Sequence, residues 1–519
     1  MSMLEFISKR QSKDIILGFC GFVGCGIKTT IDVTKETLKV WGYDVVHVRL
    51  SDIMQDELYF DQKLLVNILK SKKNRHLKLQ EVGNLLRRKF KRNEILSEAA
   101  IAYIQLKQKE IIRSKVDESE KEKTKIAFLV DQFKRPEEIE LFRVINQHNF
   151  YLLGILRDEQ ERIRNLKEDD SSKNDIPSII NIDNKSDDDF GQQTGKAILE
   201  SDFFIKNNQS QKSDLKKKID RFIGLIHGVN GLTPMKHEKG MYAAFSASLQ
   251  SACLSRQVGA ALTDSEGNLL AVGKNDVPKF GGGLYSYDDG DNDHRCVYKS
   301  GKCFNDINKI KIKNRISEIL NNSLTEILNS DKIGFKEAKE TIEENLEKIT
   351  SKIYKESKIS QVMEYSRSIH AEMDVITSMA RSSNENTKGK ILYTTTYPCH
   401  NCARHIVSAG IKEVIYIEPF EKSLALDLHD DSISKYQLND KVVFKEFEGV
   451  SPRRYNKFFY PTDERKDDFG IAKERNTKYK NHIDIQYLDS YRMYQLTVSK
   501  KFIEEVAPNS DKFKELIKN

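Results

Sequence analysis

Two short motifs constrain this chain more than anything else in it: His370-Ala371-Glu372 and, beginning 28 residues after His370, Pro398-Cys399-His400-Asn401-Cys402. One imidazole and two thiolates form a donor set that suits Zn²⁺, and three protein ligands leave the fourth tetrahedral position to water. Zinc lowers the pKa of such a water from about 15.7 towards about 7. Glu372, two residues past the histidine, lies near that metal without having to ligate it, and a carboxylate so placed can carry protons. Cys399 and Cys402, three apart, can face one way from the first turn of a helix, whose N-terminus favours thiolate. A closed structural zinc site is the alternative; it needs a fourth ligand and leaves Glu372 without a role. Either way, the fold must bring 370–372 and 399–402 together across the strand-like run at 391–395.

The chain has 519 residues, enough for two or three domains with sizeable cores. Its 85 Lys and Arg against 78 Asp and Glu give a net charge of only +7. With no concentrated basic block, nucleic acid is not expected as the main substrate. The first residues, MSMLEFISKRQSKD, lack an apolar signal region, and no apolar run approaches membrane-spanning length. Seven cysteines, two of them claimed by the zinc motif, do not look like a disulfide framework. A cytoplasmic protein with no membrane partner is the expectation.

Strand and helix signals alternate through the first 200 or so residues, as in parallel α/β folds. Strands are expected at 15–19, 44–48, 126–130, 151–156 and 201–205, with a helix over 29–41. The acidic, Ser/Asn/Asp-rich stretch 167–190 reads as a mobile loop. Asn207 to Gln211 marks a boundary, followed by a connecting helix near 214–226. A second domain then starts at about Met241, with a helix over 243–254 and a hairpin pairing 258–263 with 269–272. A long segment, about 306–360, interrupts it with two helical stripes, Ile316/Ile319/Leu320/Leu324/Ile327/Leu328 and Ile342/Leu346/Ile349/Ile353. These stripes read as internal packing surface or as a self-association helical pair.

The first domain carries a glycine loop, Gly21-x-x-Gly24-x-Gly26-Ile27-Lys28-Thr29. It nearly matches the phosphate-binding P-loop, except that Ile27 separates the last glycine from the lysine. Loop N–H groups, a helix N-terminus and Lys28 would together attract phosphate. Thr29 or Thr30 would help hold Mg²⁺ with a bound nucleotide, and Asp131, ending a strand, is the candidate second acid. The competing reading is a tight strand-to-helix turn that binds nothing.

The paired motifs match the H-x-E and P-C-x-x-C signature of zinc-dependent nucleobase deaminases. Further stretches extend the likeness: 240–243, 254–260, 281–285, 369–374, 395–403, 417–425 and 449–455. On these the chain resembles the bacterial anti-phage dCTP deaminases, strongly in the second half and more loosely in the first 200 residues. The resemblance implies an N-terminal P-loop kinase-like parallel-sheet domain over 1–206 and a linker helix over 207–240. A cytidine-deaminase-like three-layer α/β/α domain with a helical insertion would then occupy 241–519. It implies conversion of dCTP, dCMP or both to the uracil nucleotide, depleting deoxycytidine nucleotides during phage infection. By position, His370, Cys399 and Cys402 would hold Zn²⁺ and Glu372 would shuttle protons. Asn275 would meet the sugar hydroxyls, unless it is only a turn residue. Arg256, Arg453 and Arg454 are candidate phosphate contacts. A homo-oligomer, and a regulatory nucleotide or phage-derived ligand on the first domain, are also implied.

Two features depart from the pattern. Asp374 and Val375 stand where related enzymes continue H-A-E-x-N-A, a change expected to be structural. His294, Cys296 and Cys303 could hold a second zinc but lack a fourth ligand, and otherwise read as a mobile loop with two free cysteines. Two rival functions remain in view. A polynucleotide-editing deaminase would want a basic, aromatic-lined groove; a nucleotide kinase with an accessory deaminase half would want an intact lysine position in the loop.

Overall fold

The computed structural model describes residues 11–508 except 72, 170–173, 187, 209–211, 331–334, 358, 360–364, 383–384, 421, 461–464, 473–481 and 483–487. The chain divides into two compact units, Met1–Glu238 with Glu448–Asn519, and Lys239–Phe447.

In the first unit, β1 (Ile15–Gly21) is buried along its whole length. A run apolar on both faces is what the middle of a parallel sheet requires. The glycine loop leads into α1 (Ile27–Val40), then β2 (Asp44–Arg49), α2 (Arg75–Phe90), α3 (Ile95–Ser114), β3 (Ile126–Phe133) and β4 (Phe150–Leu156). After α4 (Ile176–Asn184) come β5 (Phe203–Lys206) and α5 (Lys212–Ile226). The five strands are parallel in the order β5-β4-β1-β3-β2.

The second unit begins within α6 (Lys236–Ser248) and continues as the hairpin β6 (Gly259–Thr263) and β7 (Leu269–Lys274). Two long helices, α7 (Phe304–Ser330) and α8 (Phe335–Glu356), form the insertion and contact one another. Then follow α9 (Ala371–Ser382), β8 (Ile391–Thr396), α10 (His400–Ser408), β9 (Glu413–Glu418), β10 (Ile433–Ser434) and β11 (Val442–Glu446). The mixed sheet runs β10-β11-β9-β8-β6-β7, with β6 antiparallel to both neighbours and the remaining pairs parallel. Helix α9 lies so close to β7 that a Cβ on Gly273 would come within 2.6 Å of the Ala371 carbonyl oxygen. A bare backbone at Gly273 thus sets the height of the helix that carries Glu372.

The chain then returns to the first unit, which differs from the expectation that 241–519 forms one domain. Strand β12 (Gly449–Val450) pairs antiparallel with β5, and Val450 and Phe458 are buried in the first core. The Phe458 ring centroid lies 6.1 Å from that of Tyr151 and 6.3 Å from that of Phe222. Within the last helix, α11 (Leu488–Glu505), Tyr491 shares a 3.0 Å hydroxyl contact with Ser12, and Gln495 donates to Asn146 Oδ1 at 2.9 Å. These long-range contacts leave no local trace in the sequence.

Other differences are local. The expected strands appear, but the helix expected over 243–254 runs over Lys236–Ser248 instead. The stretch read as a mobile loop contains α4, whose Ile176 and Ile179 are buried with Val23 and Leu166. Of the insertion stripes, Ile319, Ile349 and Ile353 remain exposed, while the side chains at 327, 328 and 342 lie outside the described set. Among the described residues, no helix is long and apolar enough to cross a membrane.

The return of the chain generates a test. Phe458→Ala should lower the stability of the first unit by about 3–5 kcal/mol, as truncating a buried aromatic does. Denaturant unfolding should show this loss while the zinc content of the chain stays unchanged. A loss of zinc with no change in stability would instead tie this segment to the second unit.

Candidate active site

Helices α9 and α10 begin beside each other on one face of the second sheet. His370 immediately precedes α9, held by the Ile369–Asp276 bridge. Cys399 is the N-cap of α10, its sulfur accepting from the Cys402 backbone N–H at 3.4 Å. A thiolate can cap a helix this way because its charge meets free N–H groups and the positive end of the dipole. His370 Nδ1 lies 3.3 Å from Cys399 Sγ and 3.4 Å from Cys402 Sγ. Tetrahedral zinc with bonds of about 2.0 Å to nitrogen and about 2.3 Å to sulfur sets N to S separations near 3.5 Å. The donor set therefore fits zinc in kind and in spacing. Among the described residues, these three are the only His, Cys, Asp or Glu side chains so grouped.

The electrostatics couple the three donors to one another and to Glu372. The neighbouring Cys402 thiol and His370 hold Cys399 down at about 4, so it is thiolate. Cys399 in turn raises His370 to about 9, while Cys402 is pushed up by the Cys399 thiolate and by burial. Glu372 is only 4% exposed, and burial raises its carboxyl above the ordinary carboxylate value. Its Oε2 lies 3.5 Å from Cys402 Sγ. A carboxyl held beside the donor set without joining it can take up and release a proton.

His370, Glu372 and Cys399 line a cavity of about 240 Å³. Asn275 lines it too, but its side chain is engaged with backbone: Oδ1 accepts from Val258 N at 2.7 Å, and Nδ2 donates to Arg256 O at 2.8 Å. It fixes the 256–258 turn at the cavity wall. Arg256 also lines the cavity and pairs with Glu418. Arg453 and Arg454 lie in the first unit, where Arg454 pairs with buried Asp202 at 2.7 Å and Arg453 with Glu200 at 3.4 Å. Neither is among the residues lining this cavity.

Three further cations line it that sequence reasoning missed, Lys309, Arg367 and Lys422. Lys309 comes from α7, so the insertion contributes to the wall. The Arg367 guanidinium lies 5.1 Å from the Phe304 ring centroid and donates to His294 O at 3.1 Å. Glu372 is the one carboxylate among the described lining residues. Isolated surface cations carry no sequence signal, and only the fold collects these around one opening. Cys296 and Cys303 line the same cavity, but with His294 they do not converge as a second donor set among the described residues. Asp374 accepts from Lys274 N at 3.2 Å, a structural role joining α9 to β7.

The glycine loop sits in the first unit. Gly24 and Gly26 have φ near +80°, a conformation only glycine adopts at low cost. One loop amide is already occupied: Val23 N donates at 2.7 Å to the buried Asp183 carboxylate, which also holds Lys134 Nζ at 2.6 Å and Thr194 Oγ1 at 3.0 Å. Asn207 donates to the carbonyls of Cys25 and Gly26. Lys28 and Thr29 are exposed at the start of α1. Asp131 faces His47 at 3.2 Å.

Residues 234–418 match the family model of the cytidine and deoxycytidylate deaminase zinc-binding region. Over 55 residues the chain is 38% identical to the deoxycytidylate deaminase of Enterobacteria phage T2 and 42% identical to ComE operon protein 2 of Bacillus subtilis (strain 168). Each alignment covers 11% of this chain and 29% of the relative, so the chain spans about three-tenths of the length of the curated relatives it matches. The solved apo dCMP deaminase of cyanophage S-TIM5 is 18% identical, with a TM-score of 0.22, covering 41% of this chain and 99% of its own. His370, Cys399 and Cys402, the one such grouping among the described residues, all lie within the segment that matches this zinc-binding region.

Proposed function

We propose that the chain hydrolyses deoxycytidine nucleotides, dCTP in particular, to deoxyuridine nucleotides and ammonia. One observation carries the reading: His370, Cys399 and the buried Glu372 line a cavity together with four cations, and Cys402 completes the donor cluster with the first two. Bound zinc would supply a water acidic enough to be deprotonated near neutral pH. His370, Cys399 and Cys402 hold the metal. Glu372 would take one proton from the attacking water and deliver it to the ring nitrogen, then take the remaining proton of the added hydroxyl and pass it to the amine, which leaves as ammonia. Water oxygen thereby replaces the amino group, with no net change in oxidation state.

Substrate charge follows from the wall. Arg256, Lys309, Arg367 and Lys422 line the wall; Arg256 pairs with Glu418, while Lys309 pairs with no acid among the described residues. Four cations exceed what a nucleoside or monophosphate needs and suit a triphosphate, whose oxygens bind guanidinium and ammonium donors. The resemblance to anti-phage dCTP deaminases supports a role in depleting the cytoplasmic deoxycytidine nucleotide pool during infection. The order of the first sheet and the glycine loop after β1 support a P-loop kinase-like reading of the first unit. There Gly21, Gly24, Gly26, Lys28 and Thr29 would face an anionic ligand.

Glu372→Ala should lower kcat by at least ~10²–10⁴-fold, the usual cost of losing a proton-transfer group, with zinc retained. Cys399→Ala should lose both. Metal analysis alongside deaminase assays checks the pair, and near-parental turnover in Glu372→Ala would remove the proposed mechanism. Lys309→Ala should lower kcat/KM for dCTP roughly tenfold, about 1.4 kcal/mol, and leave deoxycytidine much less affected. Equal losses on both substrates would mean Lys309 supports the wall rather than the phosphates.

A further inference from the structure

We propose that the insertion is a self-recognition surface, with α7 and α8 of one chain packing antiparallel against α7 and α8 of a second copy as a four-helix bundle. The two helices run over 27 and 22 residues and contact one another, yet they enclose little. No described side chain of α7 is buried, and among those described on α8 Thr350 is the one that is. Apolar surface remains on both: Ile319 is 51% exposed, Ile349 39% and Ile353 36%. Leu346, Ile349 and Ile353 share one face of α8, being spaced by a turn of helix. On α7, Ile312, Ile316, Ile319, Leu320 and Leu324 form a broader stripe than one neighbouring helix covers. A two-helix seam needs about two apolar positions in seven and a bundle about three, and α7 carries the bundle pattern.

Charge says what covers that surface. Residues 304–317 of α7 and 348–356 of α8 form the base of the hairpin, and the rest of both helices forms its tip. In the base, Lys309, Lys311, Lys313 and Arg315 on α7 and Lys348, Lys352 and Lys355 on α8 outnumber Asp306 and Glu356, a net of +5. In the tip, the described charged side chains are Glu318, Glu326, Glu344 and Glu347, a net of −4. The ion pairs on the hairpin among the described residues are Arg315–Glu318 at 2.9 Å and Lys352–Glu356 at 4.0 Å. Each lies along one helix, so neither ties α7 to α8.

A surface positive at one end and negative at the other is complementary to itself when turned end for end. A two-fold axis does this, setting each base against the other copy's tip at both ends of the bundle. Pairing base with base would oppose like charges, and a polyanion would be repelled by the tip. With α7 at 27 residues, the hairpin face is about 40 Å long and two helix diameters, about 20 Å, wide. That offers roughly 800 Å² per copy, the area of a specific interface of standard size.

Sedimentation velocity of the full chain tests this with two charge-reversed variants. One reverses the tip (Glu318→Lys, Glu326→Lys, Glu344→Lys, Glu347→Lys) and the other the base (Lys311→Glu, Lys313→Glu, Lys348→Glu, Lys352→Glu). The parental chain should self-associate at micromolar concentration. Each variant alone should associate at least tenfold more weakly, and an equimolar mixture should recover the parental assembly, because each positive end then meets a negative one. Ile349→Ser/Ile353→Ser, which changes only exposed side chains, should weaken association without touching charge. Helix content by circular dichroism and zinc content equal to the parental chain establish that the variants fold. A parental chain that stays monomeric at about 100 µM overturns the proposal. So does association unchanged in all three variants, which would place the contact on another surface, or a mixture no more associated than its parts. Mass is read without turnover, so the result stands apart from the deaminase reading.

Discussion

The second unit is organised around the meeting of two helix N-termini. Helix α9 starts after His370 and α10 after Cys399, so two positive dipole ends and several free N–H groups face one point. At that point the Cys402 thiol and His370 hold Cys399 as thiolate, and three donors lie at zinc-binding separations. Parallel pairing of β8 with β9 fixes α10, while the bare backbone of Gly273 admits α9. A bulkier residue at 273 would displace Glu372 from the donors, because the obstructing atoms are backbone rather than a flexible side chain.

What surrounds that point decides which molecule it can serve. A metal-bound water and a buried carboxyl are suited to attack on an amino-substituted ring, but they do not choose among nucleosides, nucleotides and polynucleotides. On the proposed reading that choice falls to Arg256, Lys309, Arg367 and Lys422, which line the cavity from separate parts of the second unit. Lys309 enters from the insertion, so a segment whose stripes suggest packing or self-association also shapes the cavity. Concentrated charge at one opening, on a chain of modest net charge, fits a small polyanion better than a long nucleic-acid track.

Legibility in the sequence followed the range of the interactions. The strands of the first sheet were readable because central parallel strands are apolar on both faces, as 15–21 and 150–156 are. The grouping of His370, Cys399 and Cys402 beside Glu372 was readable because metal chemistry restricts residue type and spacing at once. The return of 448–519 to the first unit was not, since a two-residue edge strand and scattered core contacts such as Phe458 have no periodic signature. Helix α4 was masked by its acidic surroundings, although Ile176, Ile179 and Ile180 already have helical spacing. Arginine chemistry alone does not say which partner a guanidinium takes. Arg453 and Arg454 suit phosphate in the abstract, and the fold pairs them with Glu200 and Asp202.

The central claim is that this zinc-donor cluster deaminates a deoxycytidine nucleotide. Its most direct test is chromatography of the products after purified chain, loaded with zinc, is incubated separately with deoxycytidine, dCMP, dCTP, CTP and dATP. The account predicts dUTP from dCTP as the fastest product, with equimolar ammonia. Zinc-loaded chain that leaves all five unchanged, or that acts on dATP in preference to the cytosine compounds, would contradict it.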